Sequence, residues 1–199
     1  MADTNAGTDK PNARRAGWTV VATRVAWEGQ RFRIHQDEVT PPGQDKPRTY
    51  AYMESAPAVI IVPVTAAGEV VLIRQFRYAC DAEVVEVPAG TRGDQEDASL
   101  EQVTRRELQQ EIGATCGEVQ TIADYFESPA HSSQRSTAVI AWETAVTGAP
   151  QREPGEDIQM WTLPAAEAFE RARRGEVRSG SCALALFLAE PHLRARGFL

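Results

Sequence analysis

Short apolar runs broken by Gly, Pro and Asp organise this chain. Residues 18–27 are rich in Val and Thr, and Glu28-Gly29 can turn them into a second extended run, 31–40. Pro41-Pro42-Gly43 ends that run, and 48–54 reads as a third strand. These three predict a small antiparallel sheet. It has few large apolar residues and needs a partner surface for stability. Residues 58–65 are continuously apolar, the pattern of a strand buried on both faces. Strands are also expected over 70–76, 83–87, 119–126, 137–145 and 158–163, with Pro88-Ala89-Gly90 ending the 83–87 strand. From Ala98 to Ile112 the period changes to that of a helix. Leu100, Thr104, Leu108 and Ile112 lie four apart on one stripe, and Gly113 is a natural C-cap. Pro164 opens a further helix to about Arg174, and 181–189 reads as a buried closing helix. The layout is mixed α+β. It divides into a flexible tail (1–16), an N-terminal sheet domain (17–56) and a larger domain (57–199).

Composition narrows the partners. The chain has 199 residues, 42% hydrophobic and 25% charged, which suits a globular protein with a real core. Acids outnumber bases 28 to 21, for a formal net charge of -7. No broad cationic field is left to hold a nucleic-acid backbone or an anionic membrane. The start lacks the apolar stretch of a signal peptide, and the longest apolar run, 183–189, is too short to span a bilayer. Cys80, Cys116 and Cys182 are odd in number and widely spaced. They read as inert apolar fillers in a reducing, cytoplasmic setting rather than as a disulfide framework or zinc site. His35, His131 and His192 are too scattered for a His-rich metal cluster.

The chemistry concentrates in Arg105-Arg106-Glu107-Leu108-Gln109-Gln110-Glu111-Ile112-Gly113. On a helix, Glu107 and Glu111 share a face with Gln110 beside them, while Leu108 and Ile112 point to the opposite, core side. Two carboxylates on one face repel unless a cation lies between them, and all-oxygen ligation suits magnesium or manganese. A backbone carbonyl from Pro88-Ala89-Gly90 can supply another hard ligand. The alternative is a solvated helix face with Arg105 and Arg106 pairing nearby acids.

Gly90, with Arg106-Glu107-Leu108, Glu111 and Gly113, resembles the signature box of the Nudix hydrolases, a glycine and a glutamate followed by R-E-U-x-E-E-x-G-U. The flanks resemble the ADP-ribose pyrophosphatase branch of that family. Leu72-Ile73-Arg74-Gln75-Phe76-Arg77-Tyr78 and Glu86-Val87-Pro88-Ala89-Gly90 are similar to its run-in. The stretch from Phe126 to Ser136 is similar to its loop after the box. Pro129, sixteen residues beyond Gly113, stands where the branch has a marker proline, and Gly155-Glu156-Asp157-Ile158 is similar to its late acidic loop. There are departures. The interval from Glu96 to Arg106 is two residues longer than in the box, and counting back from Arg106 puts Ala98 at the acid position, where Glu101 or Glu96 is the substitute. The first Glu of the pair is Gln110, which makes the site less anionic and weakens a second or third cation. Ala130-His131 replaces the usual glycines, and Gln134 stands where Glu is common.

The resemblance implies a Nudix α/β/α sandwich with an N-terminal antiparallel sheet exchanged across a homodimer. It implies that Glu107, Glu111 and the Ala89 carbonyl bind Mg2+ or Mn2+, with Gln110 a weaker ligand. Arg106 would orient the glutamates. Glu156 would be the general base, with Glu153 the runner-up. Arg77 would contact phosphate, unless it is a surface ion pair. Tyr50, in Lys46-Pro47-Arg48-Thr49-Tyr50, would stack on adenine, with Trp27 and Phe32 as alternatives; Arg48 and Pro129 complete the substrate set, and His131 is a candidate for the terminal ribose. The implied reaction is metal-dependent hydrolysis of ADP-ribose to AMP and ribose 5-phosphate. Two alternatives stand beside it: a pyrophosphatase for another nucleoside diphosphate sugar such as GDP-mannose, and a nucleotide-binding sensor with a degenerate box.

Overall fold

The computed structural model describes residues 10–92, 99–152, 155 and 157–199. The chain divides into two compact units, one of residues up to 56 plus 128–134, the other of 57–127 plus 135–199.

The first unit is a three-stranded antiparallel sheet in the order β1 (Thr19–Glu28), β2 (Phe32–Thr40), β3 (Arg48–Ser55). Alternation along β2 buries His35, Asp37 and Val39 on one face. The stretch expected to be a flexible tail is ordered in part: Pro11–Arg15 forms a short helix, α1. Its start is pinned by Lys10, whose ammonium donates to Asp37 at 3.1 Å and lies 3.6 Å from the centre of the Tyr52 ring. That pairing gives a buried carboxylate its counter-charge. Loop 128–134 joins this unit through the backbone, the Met53 N–H donating to the His131 carbonyl and the Ser133 N–H to the Met53 carbonyl.

The second unit holds β4 (Ala58–Pro63), β5 (Glu69–Arg77), β6 (Ala82–Glu86), β7 (Ala89–Thr91), α2 (Leu100–Ile112), β8 (Ala114–Thr115), β9 (Val119–Phe126), β10 (Arg135–Ala141), β11 (Ala145–Val146), β12 (Gln159–Pro164), α3 (Ala165–Arg173) and α4 (Gly180–Ala195). The sheets run β7-β4-β10-β9, β12-β5-β6 and β11-β8, with β10 parallel to β4. The period of two explains the layering. Ile60, Val62, Val70, Leu72, Ala138 and Ile140 pack with α3 and α4 in one core. Their alternates Val59, Ile61, Val71, Ile73, Val139 and Ala141 pack with Leu108 and Ile112 of α2 in the other. Helices thus cover both faces of the strands, and the continuously apolar 58–65 run is apolar because β4 is buried on both sides.

Three boundaries differ from the sequence reading. Pro88-Ala89-Gly90 does more than end a strand, since Ala89–Thr91 pairs antiparallel with β4. The expected 137–145 strand stops at Ala141 because Glu143 takes a left-handed φ of 55°, and Ala145–Val146 then pairs with β8. The closing helix continues through Pro191 to Ala195, held by the fully buried Leu193. Of the cysteines expected to be inert apolar fillers, Cys182 is buried in a core and Cys116 is half-buried against the other, but Cys80 is exposed. No helix of the described residues is long and apolar enough to cross a membrane.

Candidate active site

Helix α2 is defined at both ends by its own sequence. Ser99 Oγ accepts from the Gln102 N–H, and Gln102 Oε1 accepts from the Ser99 N–H, a reciprocal cap. Gly113 ends the helix at φ 64°, and a Cβ there would lie 2.2 Å from the Gly148 carbonyl oxygen, so only glycine fits. The free carbonyls of the last turn are used: that of Gly113 accepts from the Thr147 and Gly148 amides, and that of Gln110 from the Gln151 amide. Arg152 Nε donates to the Glu111 carbonyl at 3.2 Å. The loop after β11 is thereby stitched to the end of the helix.

The acid pair sits against β7. Gly90 closely abuts Glu107; a Cβ at Gly90 would stand 2.1 Å from Glu107 Cδ and 2.4 Å from Oε1. Arg106 donates to Glu107 Oε1 at 2.7 Å and to the Thr91 carbonyl at 3.1 Å, tying helix to strand. Glu111, which shares its helix face with Glu107, is only 5% exposed, unlike an acid of a solvated helix face, and one oxygen accepts from the Ala89 N–H at 3.3 Å. The ladder explains how Ala89 reaches it. Ile61 N–H donates to the Pro88 carbonyl and Arg92 N–H to the Pro57 carbonyl, with Ala89 opposite Ile60. In that antiparallel register both the amide and the carbonyl of Ala89 point away from β4. The Ala89 carbonyl therefore lies on the same outer edge as the amide that meets Glu111.

Glu107, Glu111 and the Ala89 carbonyl are thus brought together, with Gln110 half-buried beside them. This is a hard-oxygen donor set, and it fits a divalent cation of the magnesium class. Among the described residues no three His, Cys, Asp or Glu side chains come together as a metal-binding group; two of the donors in this set are acids and the third is a backbone carbonyl. Glu156, Glu153, Glu96 and Ala98 lie outside the described residues.

Arg77 is held by an acid to which the sequence reading assigned no role. Its Nε and Nη2 lie 2.9 and 2.7 Å from Glu86 Oε2, and Gln75 Nε2 donates to the same oxygen at 3.1 Å. Glu86 is buried while the Arg77 side chain stays 41% exposed. The signal for Glu86 was positional only: a carboxylate at the end of a strand, directly after Val84 and Val85.

Tyr50, Arg48 and Pro129 belong to the first unit. The Tyr50 hydroxyl donates to the Ala130 carbonyl at 3.1 Å, next to Pro129, and its ring meets Trp18 edge-on at 6.5 Å. The Arg48 guanidinium stands 5.7 Å from the Trp18 ring. Trp27 and Phe32 pack on each other at 5.0 Å. His131 is an exposed loop residue, fixed through its backbone.

The family model of the NUDIX domain matches residues 54–181, which span the acid pair and the Gly90 cradle. The chain belongs to the Nudix family. This Nudix hydrolase is 28% identical to an ADP-ribose pyrophosphatase of Mycobacterium tuberculosis, over 89% of this chain and 84% of that protein. It is 34% identical to a GDP-mannose pyrophosphatase of Salmonella arizonae, over 68% of this chain and 74% of that protein. A crystal structure of an ADP compounds hydrolase superposes with a TM-score of 0.78 at 19% identity, covering 92% of this chain and 97% of that one, so the two share the Nudix fold. Together these put the chain in the ADP-ribose pyrophosphatase-like branch of the Nudix hydrolases.

Proposed function

We propose that this Nudix hydrolase cleaves the diphosphate of ADP-ribose, water adding at one phosphorus to give AMP and ribose 5-phosphate. The observation that carries the reading is the convergence of Glu107, Glu111 and the Ala89 carbonyl behind the Gly90 cradle. These residues hold Mg2+ or Mn2+, with Gln110 the weaker donor. A bound divalent cation supplies charge neutralisation at the diphosphate and acidifies the attacking water. The protein's own residues do the rest. Arg106 keeps the Glu107 carboxylate aimed. Glu156, with Glu153 as runner-up, takes the water's proton. Arg77 contacts the diphosphate, Tyr50 stacks on the base, and Arg48 and Pro129 line the nucleotide. The protein works in the cytoplasm as a homodimer formed through the 17–56 sheet domain. Val21, Val25, Trp27 and Phe32 of that sheet are exposed large apolar residues, which supports such a contact.

Purified protein with magnesium releases AMP from ADP-ribose; no magnesium-stimulated turnover of any nucleoside diphosphate sugar would sink the proposal. A second reading, hydrolysis of GDP-mannose, is favoured by the 34% identity to the Salmonella arizonae protein. The catalytic residues are the same in both, so kcat/KM on the two substrates decides between them. Light scattering during size exclusion tests the dimer.

A further inference from the structure

Glu86 is a buried acid that needs an explanation. A carboxylate removed from water is costly unless its charge is met, and here one oxygen, Oε2, meets three donors from the described residues. Two come from one edge of the Arg77 guanidinium and one from the Gln75 amide. The register places the group. Ile73 pairs with Glu86, Gln75 with Val84 and Arg77 with Ala82, with no shift between them. Directly opposed residues share a face, so Gln75, Arg77 and Glu86 continue the Val71–Ile73 face that packs with α2. The side chains at the far end of this face thus lie on the same side of the sheet as the helix of the acid pair. Glu86 is also three residues before Ala89 in the chain.

A guanidinium has five N–H donors in a rigid planar fork. Glu86 takes the Nε and one Nη2 donor from inside. The fork is then fixed in plane and direction, and among the described residues its Nη1 edge meets no acceptor and faces outward for an anion. An arginine so held gives up little conformational entropy when it meets a second anion.

We infer that Glu86, assisted by Gln75, is a positioning residue that holds Arg77 as a pre-set contact for the anionic diphosphate. This rests on the proposed diphosphate substrate. Glu86 does not touch the substrate; it acts through Arg77.

The test compares wild type with Glu86→Gln, Arg77→Ala, Arg77→Lys and the double variant Glu86→Gln/Arg77→Ala. Each is measured for kcat and KM on ADP-ribose and for binding of ADP with magnesium by calorimetry, alongside thermal melting. Glu86→Gln raises KM and the ADP dissociation constant by about ten-fold, with kcat changed far less. The double variant binds no more weakly than Arg77→Ala alone, because Glu86 has nothing left to position. Arg77→Lys keeps the charge, loses the fork, and shows the same rise; it carries the test if Glu86→Gln does not fold. A purely structural Glu86 would lower the melting point and the active fraction while leaving KM and ADP affinity intact, and that result overturns the inference. So do additive losses in the double variant, or Arg77→Lys at wild-type KM. Wild type that binds ADP without turning over any sugar nucleotide sinks the hydrolase proposal alone, since the binding arms still decide on Glu86. Wild type that fails to bind ADP overturns both.

Discussion

Gly90→Ala is the sharpest probe of the acid pair, because the added methyl group falls directly against the Glu107 carboxylate. The three nearest heavy atoms to a Cβ at Gly90 all belong to Glu107, the closest at 2.1 Å. Ordinary contact begins near 3.4 Å, so the carboxylate must withdraw by about 1.3 Å (3.4 minus 2.1). The backbone is not the obstacle, since Gly90 is not among the glycines with positive φ. The obstructing atoms are the end of a flexible side chain, so the fold has a way to accommodate the methyl. Overpacking typically costs about 1–3 kcal/mol, and a reduced unfolded-state entropy returns about 0.4–1 kcal/mol. Function has no such escape. Withdrawal pulls Glu107 from Arg106 and from the edge where the Ala89 carbonyl lies, and a shift of about 1 Å in a reacting constellation costs on the order of 100-fold in rate. The expected outcome is a melting point within several degrees of wild type and AMP release from ADP-ribose down about 100-fold. Electron paramagnetic titration should also show weakened Mn2+ binding. Gly180→Ala, with nothing within 4 Å, is the control and keeps full activity. Wild-type kcat and Mn2+ affinity in Gly90→Ala would refute the placement of Glu107 in the metal site.

Further outcomes follow from the same contacts. Glu111→Gln lowers kcat on the order of 100-fold in the AMP-release assay, with circular dichroism unchanged. Gln110→Glu adds a carboxylate beside the pair and lowers the magnesium concentration needed for half-maximal rate; an unchanged value would remove Gln110 from the site. Gly68→Ala combines a positive φ of 76° with a Cβ 2.2 Å from the Phe198 ring, and costs about 1–3 kcal/mol in urea unfolding. Burial pushes the Cys182 thiol up to about 11 from an ordinary 9. The folded state then holds this proton more tightly than the unfolded state, so the contribution is intact below pH 9 and is lost as pH rises toward 11. Urea midpoints should fall over that window in wild type and fall less in Cys182→Ala, while a thiol reagent at pH 8 reaches Cys80 before Cys182.

Much of this molecule was legible in one dimension because its signals are local. The stripe of Leu108 and Ile112, the Gly113 cap and the apolar 58–65 run each follow from backbone geometry within a few residues, and each stands close to where it was expected. The misses are long-range. Nothing near Glu143 announces that the β10 strand must turn before it, and nothing near Pro11 announces that Lys10 will be fixed by Asp37. The two-residue strands β8 and β11 exist only as each other's partner.

The acid pair shows the same division. Spacing alone put Glu107 and Glu111 on one face of a helix, and the flanking motifs indicated a family and a metal. Tertiary structure decided what that face meets. Packing of α2 against β7 turned Glu111 into a buried acid, made Gly90 a space requirement rather than a turn residue, and aimed the Ala89 carbonyl outward through the register with β4. It also tied Arg77, half-exposed at the end of its strand, to the buried Glu86. Periodicity depends on neighbours in the chain and can be read from it. Burial, charge pairing and clearance depend on residues brought together from opposite ends of the fold, and only the packed structure determines them.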